Sequence, residues 1–181
     1  MRKINETLKA YLDGKLGDVS QLTPIEVMLK AAEAMIGITE QDDPAKVDLI
    51  RSTIVKPWGE AWCDDFVQTC IAYAEAVKGV QSSIVASEGV LDTWNRSKAY
   101  SAVQPAQRGD IIVWRLGATA EGHCGLITAI DSLLYETIEG NTSDSAEIDR
   151  TGRGVHAKKR AKGGTKTFSE VGFLRVFQGG N

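Results

Sequence analysis

Histidine is nearly missing from this chain: 181 residues contain two, His123 and His156, and cysteine is scarce at three, Cys63, Cys70 and Cys124. Three thiols cannot all pair within one chain, and these have neither the density nor the spacing of a disulfide scaffold, so at least one is expected to be free. No run approaches the ~18 consecutive apolar residues of a membrane span. The start, Met1-Arg2-Lys3-Ile4-Asn5-Glu6, lacks the apolar core of a secretory signal, so the expectation is synthesis in the cytoplasm without stable membrane insertion. Nor is there a marked excess of one charge, with 21 Lys and Arg against 24 Asp and Glu. What is present is an apolar fraction of 43%, which excludes intrinsic disorder for most of the chain and, at this length, points to one domain.

The charge is unevenly spread. Arg150, Arg153, Lys158, Lys159, Arg160, Lys162 and Lys166 form a strip with no acid among them, so the other 14 basic residues face all 24 acidic ones. The plain expectation is a solvated loop or strand face. The sharper one is electrostatic contact with an anionic polymer or the cell envelope. The strip has no interleaved aromatics and fits no helix-turn-helix or zinc-finger pattern, which argues against nucleic acid.

Ile4, Leu8, Tyr11 and Leu12 are spaced for one helical face before Gly14 and Gly17, which predicts a short N-terminal helical arm over 1–20 and a main domain over 21–181. Thr23-Pro24-Ile25-Glu26 reads as a capping box opening a helix that runs to Gly37. A polar connection around a short apolar run is expected from Asp42 to Pro57. A helix from Cys63 to about Gly79 carries Cys63, Phe66, Val67, Cys70, Ile71, Ala74 and Val77 on one face, and a shorter one is expected over 86–94. Beyond Pro105 the period changes. Strands are predicted at Ile111 to Trp114, His123 to Ile130, Leu133 to Ile138, Val155 to Lys159 and Phe173 to Phe177. Helices first and closely linked strands after predict an α+β fold in which N-terminal helices pack on an antiparallel sheet.

The scarcity of histidine constrains the chemistry. Any thiol or hydroxyl activated by imidazole must use His123 or His156. His156 lies in the basic strip and reads as a surface side chain, whereas His123 opens a strand after a Gly-rich loop, where it can be held at the mouth of a cleft. Cys63 is the matching nucleophile, since a helix N-terminus stabilises thiolate and its backbone N–H groups, at Cys63 and Asp64, can receive an oxyanion. Cys70, two turns on, reads as core, and Cys124 alternates to the strand face opposite His123. Thr137, Glu139 and Asn141 share a face by the two-residue period, so that Glu139 or Asn141 can orient the imidazole. A metal module built from Cys63, Cys70, His123 and Cys124 lacks the close ligand pairs of zinc sites.

Four blocks in this order, Trp62-Cys63-Asp64-Asp65-Phe66-Val67, Gly109-Asp110-Ile111-Ile112-Val113-Trp114, Gly122-His123-Cys124-Gly125-Leu126-Ile127 and Ile138-Glu139-Gly140-Asn141, resemble the CHAP cysteine amidohydrolase/peptidase family within the papain-like NlpC/P60 group. The resemblance runs from about Met28 to Val176. It implies a papain-like fold with the catalytic Cys63 at a helix N-terminus, His123 as base, and Glu139 with Asn141 as the orienting pair. Trp62, Asp65 and Trp114 are then expected beside the substrate. The implied activity is hydrolysis of an amide bond in the peptidoglycan stem peptide by a monomer without cofactor. Phage endolysins, injected bacterial amidases and catalytically silent binding relatives all fit this frame, with the endolysin the leading expectation.

The chain departs from the family's pattern in two ways. Some members hold Ca²⁺ beside the nucleophile; here Asp65 is suitably placed, but Ile54, Lys56 and Trp58 bring no oxygen ligands, so no metal is expected. Cys124 stands where an aliphatic residue is usual.

Overall fold

The computed structural model describes residues 2–54, 60–145, 148 and 152–178. Five helices precede or flank a six-stranded antiparallel sheet among these residues: α1 (Glu6–Leu16), α2 (Pro24–Ala34), α3 (Pro44–Arg51), α4 (Cys63–Lys78) and α5 (Val90–Ser101), then β1 (Ala102–Val103), β2 (Ile111–Leu116), β3 (Gly122–Ile130), β4 (Leu134–Thr142), β5 (Gly154–Ala161) and β6 (Phe168–Leu174). The sheet order is β1-β6-β2-β3-β4-β5, and every pairing is antiparallel. This is the predicted α+β architecture. Among the described residues no helix is long and apolar enough to cross a membrane.

Local chemistry starts the helices where the sequence indicates. Thr23 Oγ1 accepts from the Glu26 N–H, and the Glu26 carboxylate accepts from the Thr23 N–H, closing the capping box of α2. That helix ends at Ala34, short of the expected Gly37, which leaves Ile36 outside it and exposed. Asp43 caps α3 by accepting from the Lys46 N–H, and Pro44 sits in its first turn. The segment from Asp42 that the sequence suggests is a mere connection therefore contains a helix; Lys56 and Trp58 lie outside the described residues. α5 starts later and runs longer than expected, to Ser101. The last strand is Phe168–Leu174 rather than Phe173 to Phe177, and the two-residue β1 beside it carries no periodic signal.

α4 is the pillar of the fold. The sequence shows one apolar face, yet every residue from Cys63 to Ala74 is buried, because α2, β3 and β4 all pack against it. Its polar residues are accordingly paired inside. Asp64 Oδ2 accepts from Thr93 Oγ1 at 2.7 Å and its Oδ1 from Gln68 Nε2 at 3.3 Å, while Thr69 Oγ1 donates to the Ile50 carbonyl at 3.0 Å. Leu8 and Leu12 of α1 are fully buried in the same core, each worth roughly 1.5–3 kcal/mol by area. A second cluster, including Ile112, Trp114, Ile127, Tyr135 and Phe173, covers the sheet's other face.

Two glycines fix close approaches around this pillar. Gly109 has φ +90, and a Cβ there would stand 2.4 Å from Ile25 Cγ2; its neighbour Asp110 holds Arg175 through two 3.1 Å bonds, which explains why the Gly-Asp block precedes β2. Gly140 lets β4 approach the start of α4. A Cβ at Gly140 would lie 2.4 Å from Phe66 Cβ, an atom that no side-chain rotation can move. Gly140→Ala is thus expected to cost about 1–3 kcal/mol through overpacking. A denaturant midpoint matching that of the unmodified protein would show that the strand and helix can separate freely.

Candidate active site

Cys63 is the first residue of α4, and Trp62, its N-cap, supplies no side-chain cap. This is the predicted placement at the positive end of a long helix. The thiol is 2% exposed. His123 is the second residue of β3, directly opposite Trp114 of β2, and the two rings stack with centroids 5.9 Å apart and planes at 18°. His123 Nε2 lies 2.9 Å from Glu139 Oε2. Its Nδ1 is buried without a hydrogen bond of ordinary geometry. With Nε2 beside Glu139, Nδ1 is the nitrogen left over, and the charge of the neighbouring Cys63 acts on the ring.

The electrostatics follow from burial and neighbours. Burial alone would push the His123 pKa down; charge on Cys63 and hydrogen bonds to Cys63 and Glu139 override it and lift the group to about 9. Glu139, also fully buried, would be pushed up by desolvation, but hydrogen bonds from Arg160 and His123 hold it at about 2. The acid is therefore a carboxylate and the base an imidazolium around neutral pH. By contrast, burial drives the Cys70 thiol well above its ordinary value, and burial together with the adjacent Cys63 does the same to Cys124. Of three free cysteines, Cys63 alone has both the helix terminus and the imidazole.

Residues 55–141 match the family model of the CHAP domain. The chain carries a CHAP domain. That family is one of peptidoglycan hydrolases and amidases with a papain-like fold, and the matched segment contains Cys63, His123, Glu139 and Asn141. No curated protein and no solved structure matches the chain.

Several expected site residues of the CHAP domain take other positions than the sequence suggests. Between Glu139 and Thr142 the pairing of β4 with β5 shifts register, and Asn141 adopts φ 54, so the alternation that puts Thr137, Glu139 and Asn141 on one face does not carry through to Asn141. Glu139 is the side chain that holds the imidazole. Trp62, Asp65 and Trp114, expected beside the substrate, are completely buried, as are Cys63 and His123 to within 2%. Trp62 Nε1 instead donates to Glu40 Oε1 at 2.9 Å, which fixes the entry to α4, and Trp114 supports the imidazole from below. Cys124 packs on the α4 side of the sheet, as alternation requires, but that side includes the Cys63 thiol, so it neighbours the site rather than turning away from it.

The metal expectation concerns Asp65, Ile54, Lys56 and Trp58, of which the last two lie outside the described residues. Ile54 has no side-chain oxygen, and among the described residues no group of three or more His, Cys, Asp or Glu lies gathered. The basic strip also divides. Arg153, Lys159, Lys162 and Lys166 are exposed, whereas Lys158 and Arg160 turn inward, and Arg150 lies outside the described residues. His156, expected at the surface, is partly covered and pairs through Nδ1 with Asp144 at 2.7 Å.

The sequence reading missed Arg160 as a site residue. Its Nε donates to Glu139 Oε1 at 2.8 Å, and Thr137 Oγ1 donates to the same oxygen at 2.6 Å. A signal was available: strand alternation within 154–161 separates Lys158 and Arg160 from the exposed Lys159, but a cluster of one charge reads as solvated until a buried acid is known to face it.

Proposed function

We propose that this CHAP domain hydrolyses an amide bond of the peptidoglycan stem peptide through a Cys63–His123–Glu139 thiolate mechanism. The observation that carries the reading is the buried imidazole held by Glu139 at Nε2, 2.9 Å away, with Cys63 at the start of α4 close enough for its charge to act on the same ring. The Cys63 thiolate adds to the carbonyl carbon, and the backbone N–H groups at Cys63 and Asp64 receive the oxyanion at the positive end of α4. The His123 imidazolium gives its proton to the departing amine, leaving an acyl-enzyme. Neutral His123 then takes a proton from water, which attacks the thioester and returns the thiolate. Glu139 holds the ring's orientation and stabilises its charged form, and the dry surroundings strengthen the ion pair.

An extended stem peptide suits a papain-like cleft, so an endopeptidase cut within the stem or crosslink is favoured over the amidase cut at the lactyl–alanine junction. The biological setting we favour is wall lysis of the phage endolysin type, which rests on the range of the family and not on a residue of the site; an injected amidase would use the same chemistry.

Digestion of purified peptidoglycan tests the reaction class. New amino groups or stem peptides freed from glycan should appear without a rise in reducing sugar ends, because cleaving a sugar linkage usually calls for paired carboxylates with one protonated. Reducing ends produced by the unmodified protein and absent with Cys63→Ala would overturn the reading, and mass analysis of the fragments would name the bond.

A further inference from the structure

Arg160 stands four residues along β5 from His156, the residue directly opposite Glu139, and is paired in register with Tyr135. Its side chain lies along the sheet face to reach the acid. Nε donates to Glu139 Oε1 and an Nη2 hydrogen to Oε2, a two-point fork, with a longer 3.5 Å approach to Thr142 Oγ1. The guanidinium is 1% exposed and the carboxylate not at all. Burying an arginine is costly, and a surface strip would have no reason to spend one here. Oε1 accepts from Thr137 and Arg160 Nε, while Oε2 accepts from Arg160 Nη2 and faces the imidazole.

We propose that Arg160 is a positioning residue that acts through Glu139 to aim His123 and to set the pH window in which the Cys63–His123 pair is charged. The fork fixes both oxygens of the carboxylate, so the single contact to Nε2 has one geometry. It also offsets part of the acid's negative charge. Without it the imidazolium would feel the full carboxylate and release its proton only at higher pH, and the nearby thiolate would lose a distant positive charge. The titratable groups that face this set are Cys63 and Asp64 from α4, Cys124 from β3 and Glu139 from β4; β2 contributes the uncharged Trp114 ring. The inference rests on the thiolate reading above.

The test is the rate of Cys63 alkylation by iodoacetamide as a function of pH, followed by mass spectrometry in the unmodified protein, Arg160→Met and Arg160→Lys. Hydrolysis is not needed for this readout. Arg160→Met should move the limb set by imidazolium loss upward by about one pH unit, the lower end of the effect of an adjacent charge. Arg160→Lys keeps the charge but not the fork. It should leave the limb near its original pH while turnover of peptidoglycan falls about tenfold or more. If Arg160→Met does not fold, the Arg160→Lys comparison and the double variant Glu139→Gln/Arg160→Met, which leaves no unpaired buried charge, carry the test; the double variant should lower the limb. A limb that stays in place in every folded variant lacking the arginine charge would overturn the proposal. An unmodified protein whose Cys63 titrates as an ordinary thiol would instead overturn the thiolate reading beneath it.

Discussion

Cys63→Ala is expected to abolish peptidoglycan hydrolysis, by three orders of magnitude or more on the order of what loss of a nucleophile costs elsewhere, while the protein stays folded. The reason is that Cys63 plays two separable parts. As packing it is a small group, 2% exposed at the first turn of α4, and removing one sulfur there should cost about 1 kcal/mol. As chemistry it has no substitute among the other thiols, since burial keeps Cys70 and Cys124 protonated well above neutral pH. Cys70→Ala should accordingly keep its activity and lose a little stability by leaving a small cavity. Release of soluble wall fragments, measured beside thermal melts, separates the two. Equal activity in Cys63→Ala and Cys70→Ala would end the assignment of the nucleophile.

His123→Ala should lower turnover by two to four orders of magnitude, the usual contribution of a positioned acid–base group. His156→Ala should change little, because its Nδ1 contact is with Asp144, a side chain that is itself almost fully solvated, and such surface contacts contribute up to about 1 kcal/mol. The pH profile adds an independent sign. His123 is raised from 6.5 to about 9, so the imidazolium that would protonate the leaving amine in the proposed mechanism persists through neutral pH and is lost as pH climbs through about 9. Activity should therefore hold from neutrality to weakly alkaline solution and fall above that. An alkaline limb near 6.5, or greater loss in His156→Ala than in His123→Ala, would move the base out of β3.

The candidate site was unusually open to sequence reading because its parts are rare or sharply placed. Two histidines left one credible base, and a cysteine opening an apolar helix left one credible nucleophile. Elements with caps or strict alternation were equally plain: the Thr23–Glu26 box, the run at β2, the long strand from His123. Less visible were α3, whose eight residues give barely two turns of periodicity, and β1, whose two residues have a partner in β6 but no pattern of their own.

What the chain order of residues determined by itself was local: which segments are helical or extended, and that Cys63 opens a helix and His123 lies at the start of a strand. What only the tertiary structure decided was who faces whom. Alternation alone put Asn141 beside Glu139, but a register shift and a left-handed backbone broke it. It put Cys124 away from the histidine without showing that the helix carrying Cys63 covers that side. It left Arg160 in a solvated strip, although Glu139 draws the guanidinium inside. The physical reason is the same in each case. Periodicity is a property of one element, whereas the energy of a buried charge or a close packing contact belongs to a pair of elements, and that pairing exists only once the chain has folded.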